Sequence, residues 1–254
     1  MTRLICVASG KGGVGKTTLV SNLAASLAKL NKKVMVIDGN VTTPNIGFHL
    51  GMPLAPVTLH DVMRGEARIR DAVYRHDSGF FVLPAGISFD EMHGVDPSTL
   101  SDVVANLSGA VDLIILDSAA GLGREAQSAI DASEEVLLVT NPDLPSVADA
   151  LKTLKIIESK GKRLTGVVLN RVSGKNHELT KAEVENMLSF PVTAEIPEDV
   201  SVPISIAKRR PVVHTSPGSP AAEEFTKLAH TIAGLEYTPR SRTIVERLFS
   251  FIFD

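Results

Sequence analysis

The sequence predicts an α/β fold, a single domain with a mostly parallel, twisted sheet and helices on both faces. Short apolar runs alternate with helical patterns, which is typical of strands joined by helical crossovers. The runs are apolar at successive positions, as expected of strands that are covered on both faces. Length and composition agree, because 254 residues with 44% apolar and 22% charged side chains can enclose one sizeable core.

Seven strands are predicted in order along the chain. The first covers residues 3–9, and the helix after it begins at Lys16 and repeats leucine at helical spacing. The other strands are predicted at residues 32–38, 79–85, 111–117, 134–141, 163–170 and 190–197. Helical patterns occupy residues 97–107, 146–159, 177–188 and 219–233. The chain is therefore divided into a core domain at residues 1–236, a linker at 237–243 and an amphipathic tail at 244–254.

Composition narrows the classes of function and the compartment. A formal net charge of −3 argues against binding nucleic acid across a whole face. The single cysteine, Cys6, can form no internal disulfide, which suits a reducing compartment. The chain passes within nine residues into a glycine-rich loop, and no apolar run approaches the ~18 residues of a spanning helix. We therefore expect a cytoplasmic protein whose membrane contact is peripheral.

The stretch "GKGGVGKT" at residues 10–17 is the first segment of the chain that indicates a ligand-binding function. It fits the pattern G-x-x-x-x-G-K-[ST] and lies between a predicted strand and a predicted helix, as a phosphate-binding loop requires. Its glycines let backbone amides face phosphate oxygens, Lys16 can neutralise the β- and γ-phosphates, and Thr17 can reach Mg²⁺. The predicted phosphate-binding residues are Gly10, Lys11, Gly12, Gly13, Val14, Gly15, Lys16, Thr17 and Thr18.

A second lysine, Lys11, follows the first glycine of this loop. With it, the stretch "KGGVGKT" resembles the deviant Walker A motif of the MinD/ParA family of P-loop ATPases, and is most similar to MinD-like proteins, including archaeal forms. The resemblance implies that Lys11 reaches across a homodimer to the nucleotide of the partner, so that two ATP molecules lie between two subunits. A solvated loop lysine is the alternative.

Two further segments resemble the switches of that family. The stretch at residues 38–47 stands in the place of switch I, where Asp38 is suited to hold Mg²⁺ through water and Asn45 matches a position near the dimer interface. The stretch at residues 113–123 ends a hydrophobic strand with Asp117, the Walker B pattern, and continues into a small-residue switch II that contains Gly121. Thr17, Asp38 and Asp117 are the predicted Mg²⁺ ligands.

The base of the nucleotide is assigned to two later segments. "VVLNR" at residues 167–171 ends a strand with Asn170, whose amide can pair with the adenine edge as donor and acceptor. "IPED" at residues 196–199 resembles the second base-binding segment of the family. The predicted base-binding residues are Asn170, Arg171, Pro197, Glu198 and Asp199.

One departure from the family concerns hydrolysis. Members commonly have Asp two positions after the first switch I aspartate, where it helps to position the attacking water, but this chain has Asn40. An amide oxygen could still orient water, so Lys11, Lys16 and Asn40 are the predicted catalytic residues of a slow ATPase stimulated by a partner. Alternatively another group, such as a backbone carbonyl, holds the water, and Asn40→Asp leaves the rate unchanged.

The final stretch, "IVERLFSFIFD" at residues 244–254, predicts an amphipathic helix. At 100° per residue its apolar side chains fill an arc of about 200°. MinD proteins carry such a membrane-targeting helix beyond a linker, which assigns lipid contact to Ile244, Val245, Leu248, Phe249 and Ile252. Docking onto the helix's own domain or onto a protein partner is the alternative.

The tail should bind lipid weakly on its own. Its charges nearly cancel, and burying apolar side chains at roughly 1.5 to 3 kcal/mol each is offset by ordering the backbone at ~1 to 2 kcal/mol per residue. Two tails in one dimer could raise avidity by ~10²- to 10⁴-fold.

The resemblance and the tail together predict a MinD-like ATPase that dimerises on ATP, binds the membrane, and positions or recruits other proteins until hydrolysis releases it. Its partners would be a second copy, the membrane surface and an unidentified activator or cargo. A ParA-like DNA-partitioning ATPase, with the basic cluster at residues 208–211 touching phosphate, and a slowly hydrolysing nucleotide-dependent scaffold are the alternatives.

Overall fold

The computed structural model describes residues 2–88 and 95–239 of the chain. Its strands are β1 (Arg3–Ala8), β2 (Val34–Gly39), β3 (Tyr74–Arg75), β4 (Phe81–Leu83), β5 (Leu113–Ser118), β6 (Glu135–Thr140), β7 (Arg163–Val172) and β8 (Val192–Pro197). They form one sheet in the order β3-β4-β2-β5-β1-β6-β7-β8. Every described pairing is parallel except that of β3 with β4, so the predicted fold class is confirmed.

Strand β3 is the one described strand that the sequence pattern did not predict. Tyr74 and Arg75 pair antiparallel with Val82 and Phe81 at the edge of the sheet. Two residues are too few to show an alternation of apolar and polar side chains, which explains why the strand was missed.

Helices cover both faces of the sheet. The described α-helices are α1 (Lys16–Lys29), α2 (Ile46–His49), α3 (Leu59–Met63), α4 (Leu100–Ala105), α5 (Arg124–Asp131), α6 (Leu144–Ser159), α7 (Lys181–Leu188), α8 (Ser201–Ala207), α9 (Val212–Thr215) and α10 (Pro220–Ala233). Short 3₁₀ turns lie at Ile69–Asp71 and Pro97–Thr99. The helices α2, α3, α5, α8 and α9 were not predicted, because four to eight residues span too few turns to establish a helical period.

Capping residues explain where the predicted helices begin. Helix α7 begins at Lys181 and not at residue 177, because Thr180 and Glu183 form a capping box at its start. Helix α6 begins two residues before the prediction, since the carboxylate of Asp143 accepts a hydrogen bond from the Ser146 amide at 2.9 Å. The predicted helix at residues 97–107 is a 3₁₀ turn followed by α4.

The core lies on both faces of the sheet, as the doubly apolar strands predicted. In β1, Ile5 and Val7 pack on the face covered by α1 and α10, whereas Leu4 and Cys6 pack on the face covered by α4 and α5. A third apolar cluster lies between α6, α7 and the strands β6 to β8. This burial holds the carboxyl ends of the central strands β1, β2 and β5 side by side, where the predicted site residues follow.

Part of the predicted domain organisation lies outside the described residues. The tail at 244–254 does, and so does most of the linker at 237–243, of which residues 237–239 are described. Within the described part of the chain, no helix has the length and apolar character that crossing a bilayer requires.

Candidate nucleotide-binding site

The glycine-rich loop leaves the carboxyl end of β1 and enters α1. Gly13 and Gly15 have positive φ values of 79° and 98°, which side chains other than glycine rarely adopt. A Cβ at Gly10 would lie 2.2 Å from the carbonyl oxygen of Asp149, and one at Gly15 would lie 2.2 Å from Nδ2 of Asn170. A side chain at these positions would clash with a neighbour or strain the backbone, so glycine is required. Without side chains there, the loop amides are free to bind an anion.

Lys16 begins helix α1 beneath this loop and is 9% exposed. Burial lowers the pKa of its ammonium, while the negative charge of Asp117 raises it. The hydroxyl of Thr17 donates a hydrogen bond of 2.7 Å to Oδ2 of Asp117, which joins the loop to the end of β5. A buried cation next to loop amides at a helix N-terminus suits the binding of phosphate oxygens.

Asp38 and Asp117 are the second-last residues of the neighbouring strands β2 and β5 and are paired in register. They are 0% and 1% exposed. Burial raises the pKa of both carboxyls, and the charge of Asp117 raises that of Asp38 further. Two such groups are costly to bury without a cation between or beside them.

The donor set fits the Mg²⁺ that the family resemblance implies. Oδ1 of Asp117 is buried and accepts no hydrogen bond from the described residues. Oδ2 of Asp38 accepts hydrogen bonds of 3.0 Å from the amides of Asn45 and Ile46, which fix that carboxylate in place. Two carboxylates and the Thr17 hydroxyl are hard oxygen ligands, the kind that Mg²⁺ prefers.

A cleft of about 730 Å³ opens above these groups, large enough for a nucleotide. Its walls come from the glycine-rich loop, from switch I at residues 38–47, and from switch II with the start of α5. The lining residues from the loop and α1 are Gly12, Gly13, Gly15, Lys16, Thr17 and Thr18, and those from switch I are Asn40, Thr42, Thr43, Asn45 and His49. The structure thus brings most of the predicted loop residues, with Asn40 and Asn45 of switch I, to one cleft, whereas Gly10, Lys11, Val14 and Gly121 are not among its described lining residues.

The side chain of Asn40 is held within switch I. Its Nδ2 donates to the carbonyl oxygen of Thr43 at 2.5 Å. Its Oδ1 accepts from the amide of Thr43 at 3.3 Å and from the Thr43 hydroxyl at 3.1 Å. In this conformation both ends of the amide are occupied, and the predicted contact of Asn40 with the attacking water stays a prediction.

A residue that sequence reasoning missed, Glu125, lies opposite switch I in the same cleft. Its Oε1 accepts a hydrogen bond from the hydroxyl of Thr42. Glu125 occupies the first turn of α5, directly after switch II. That position, an acidic residue two places beyond the switch, is the signal that could have identified it.

Gly121 and Lys11 are two other residues that were predicted to act at the switches or the dimer interface. The amide of Gly121 donates to the carbonyl of Ser9 at 3.0 Å, which ties switch II to the start of the glycine-rich loop. Gly121 has a φ of 83°, so this contact also favours glycine. Lys11 is exposed, and its carbonyl accepts a 2.8 Å hydrogen bond from the hydroxyl of Ser9.

Of the predicted base-binding residues, Arg171 is the one among the described lining residues of the cleft. Asn170 lies under the loop, where its Nδ2 donates to the carbonyl oxygen of Val14 at 2.6 Å, and Arg171 lines the cleft. Asp199 accepts hydrogen bonds from the amides of Ser201 at 2.8 Å and Ala221 at 3.1 Å, so its carboxylate binds first-turn amides of α8 and α10. Contact between these residues and the base, and likewise for Pro197 and Glu198, stays a prediction.

A glycine-rich loop over a buried lysine, at the carboxyl edge of a parallel sheet, defines a P-loop nucleotide-binding protein. The chain belongs to the CobQ/CobB/MinD/ParA nucleotide binding domain family, whose model matches residues 5–212. ATP or ADP with Mg²⁺ is therefore the cofactor of this site.

Similar sequences match this chain over nearly its whole length. An uncharacterised ATP-binding protein of Methanocaldococcus jannaschii is 37% identical over 250 residues, which cover 98% of this chain and 95% of the relative. The septum site-determining protein MinD of Thermotoga maritima is 34% identical over 244 residues, which cover 92% of this chain and 89% of the relative.

Solved structures agree in fold. The cell division ATPase MinD of Pyrococcus furiosus has a TM-score of 0.89 at 36% identity, covering 93% of this chain and 100% of its own. MinD of Pyrococcus horikoshii complexed with Mg-ADP has a TM-score of 0.88 at 34% identity, covering 91% and 96%. MinD of Aquifex aeolicus in a complex with MinC has a TM-score of 0.84 at 29% identity, covering 95% and 99%.

Proposed function

We propose that this protein is a MinD-like ATPase that dimerises on ATP, binds the inner face of the cell membrane peripherally, and positions or recruits other proteins until hydrolysis releases it. The observation that carries the proposal is the contrast between the two lysines of one loop. Lys16 is buried beneath the loop, whereas Lys11 is exposed and its ammonium makes no hydrogen bond or ion pair within residues 2–88 and 95–239. An unpaired loop cation is suited to a phosphate held by a second subunit.

The residues of the cleft have different roles in hydrolysis. Loop amides and Lys16 bind and orient the phosphates, and Lys11 of each subunit supplies a second cation to the partner's site. Thr17, Asp38 and Asp117 would hold Mg²⁺, which would supply positive charge beside the phosphate oxygens when bound. In the MinD complex with MinC, a partner protein binds a relative of this chain. We infer by analogy that an unidentified activator or cargo binds here.

Membrane binding is assigned to the tail at residues 244–254. Helix α10 ends at Ala233, and Gly234 follows with a φ of 68°. Tyr237 then packs against α10, with its ring 5.1 Å from that of His230. Tyr237, the first residue of the proposed linker, thus still contacts the core. Two weak tails on one ATP-bound dimer would bind a vesicle by avidity, so nucleotide would control residence on the membrane.

Flotation with lipid vesicles in ADP, ATP and a slowly hydrolysed ATP analogue tests this function. Binding should be weakest in ADP and strongest in the analogue, and Phe249→Glu should abolish it because a charge enters the apolar face. Thr238→Glu adds the same charge outside the tail and serves as the matched control. Equal binding in all three nucleotide states, or none in any, would overturn the proposal.

Nucleic acid remains an alternative target through the basic cluster at residues 208–211. Part of this cluster already has local contacts. Arg210 lies 3.7 Å from the carboxylate of Asp77, and Arg209 packs beside Gly51. A DNA-partitioning ATPase would show ATP-dependent retention on DNA that strengthens at low salt and survives deletion of residues 241–254. Absence of turnover even with lipid would instead support a nucleotide-dependent scaffold.

A further inference from the structure

Glu125 is the only carboxylate among the described residues that line the nucleotide cleft, since Asp38 and Asp117 lie buried below its wall. It is held there from the side of α5, opposite the switch I residues Asn40 and Thr42. Its position places a proton acceptor in the cavity that would contain the phosphates.

The surroundings of Glu125 do not neutralise it. The Thr42 hydroxyl donates to its Oε1, and no lysine or arginine of the described segments forms an ion pair with it. Burial raises the pKa of its carboxyl, in part offset by Thr42. Glu125 is half-buried, and no cation among the described residues pairs with it, although pairing is the usual way to compensate a partly desolvated charge.

An unpaired carboxylate and a nucleotide phosphate repel each other across the cleft. The arrangement is tolerated if a hydrogen-bond donor lies between them, and a water molecule can donate one proton to the carboxylate while its oxygen faces phosphorus. Asn40 is poorly placed for this task, because both ends of its amide are bonded to Thr43. The hydrogen bonds around switch I therefore favour Glu125 over Asn40 as the acceptor.

We propose that Glu125 accepts a hydrogen bond from the water that attacks the γ-phosphate, in the role that Asp commonly has at the position of Asn40 in the family. The water oxygen bonds to the γ-phosphorus as the bond to the β,γ-bridging oxygen breaks, and ADP leaves with that electron pair. Glu125 holds the water proton until the released phosphate takes it. This inference rests on the proposed ATPase function.

A purely structural role is the competing explanation. An acidic side chain in the first turn of a helix interacts favourably with the helix dipole, and its bond to Thr42 ties α5 to switch I. Two variants separate the explanations. Glu125→Gln keeps an oxygen that accepts from Thr42 but removes the carboxylate, whereas Thr42→Val removes the hydrogen bond and keeps the carboxylate.

The experiment measures ATP turnover, the affinity for a fluorescent ATP analogue, and the ATP-to-ADP ratio in the isolated dimer. Glu125→Gln should lower turnover roughly 100-fold, within the range of a positioned proton acceptor, with analogue affinity nearly unchanged. Its dimer should contain mostly ATP and persist longer than that of the unchanged protein. Thr42→Val should lower turnover by less than about tenfold, the worth of one hydrogen bond. Glu158→Gln, on the exposed face of α6, is the matched control.

Asn40→Asp provides a rescue test. Introduced into the Glu125→Gln protein, it should recover part of the lost turnover, because Asp lacks the Nδ2 that bonds the Thr43 carbonyl and its carboxylate is free to turn toward the water. A double variant no faster than Glu125→Gln would contradict the proposal.

Two outcomes overturn the inference on Glu125 and leave the proposed ATPase function intact. If Glu125→Gln turns over at the unchanged rate while Lys16→Ala is inactive, Glu125 does not contact the attacking water. If Glu125→Gln loses the dimer, it belongs to the interface. A protein that shows no turnover with lipid before any substitution overturns both proposals.

Discussion

Two sites in the same sheet bury carboxylates, and they differ in how the charge is compensated. At the carboxyl edge, Asp38 and Asp117 face each other, and Oδ1 of Asp117 has no hydrogen-bond partner among the described residues. At the amino edge, Glu135 accepts two hydrogen bonds from the Arg3 guanidinium at 3.0 and 2.9 Å and an ion pair from Arg163 at 2.5 Å.

The pKa values follow this difference. Burial raises the pKa of both aspartates at the carboxyl edge. Burial alone would also raise the pKa of Glu135, but hydrogen bonds from Arg3 and Thr165 with the charges of Arg3 and Arg163 lower it to about 2. Burial of a carboxylate is thus no indication of function by itself. A pair of buried carboxylates that one lysine and a few hydrogen bonds compensate only in part indicates a place for a bound cation.

The largest expected effect comes from breaking the carboxyl-edge site. Lys16→Ala removes the buried cation beneath the loop, and we expect nucleotide affinity to fall by at least about 100-fold, as for other desolvated charge partners. Titration with a fluorescent nucleotide measures this. Lys155→Ala, an exposed lysine paired with Glu158, should retain full affinity. Comparable affinity in both variants would refute the assignment of the loop.

Breaking the amino-edge site should lower the stability of the fold and leave the affinity for nucleotide unchanged. Glu135→Gln replaces charged hydrogen bonds to Arg3 with weaker ones, and we expect the free energy of unfolding to fall by about 1 to 3 kcal/mol. Denaturant unfolding gives this value, and nucleotide titration is the control. A loss of nucleotide affinity in Glu135→Gln would show that the two edges are coupled.

A third test compares how the stability that each site contributes depends on pH. The folded-state pKa values of Asp38 and Asp117 are raised, so the stability from these groups is present at low pH and is lost as pH rises through those values. Without nucleotide, the melting temperature should fall as pH rises from about 5 to about 8, and Mg-ADP should reduce that fall. The pKa of Glu135 is lowered, so its contribution is constant in this window and is lost only on acidification toward about 2. Equal slopes with and without Mg-ADP would contradict the comparison.

The smallest effect distinguishes the two arginines around Glu135. Arg163 has a 70% exposed side chain, and Arg163→Ala should cost less than about 1 kcal/mol because solvent screens such pairs. Arg3→Ala should cost more, since Arg3 also donates to the carbonyl of Ile232 and so joins β1 to α10. Thermal unfolding of both variants in parallel measures the order. The reverse order would mean that the exposed ion pair dominates the site.

Sequence patterns predicted most of the fold and the centre of the site. Doubly apolar strands and the loop at residues 10–17 are local signals, and the structure places Lys16 and Thr17 at the carboxyl edge as such a loop requires. The short strand β3 and helix α5 were not predicted, because two strand residues and about two helical turns are too short to establish a period. Glu125 was missed for the same reason, since the helix that carries it was not predicted.

The sequence by itself determined the periodicity of each element, the conformation of the glycine-rich loop and the kinds of ligand it suits, because these depend on neighbouring residues. Only the tertiary structure decided which distant side chains meet. Thr17 binds Asp117 across 100 positions, Thr42 binds Glu125 across 83, and Arg3 binds Glu135 across 132. Such pairings depend on the order and register of strands in the sheet, which no local pattern specifies.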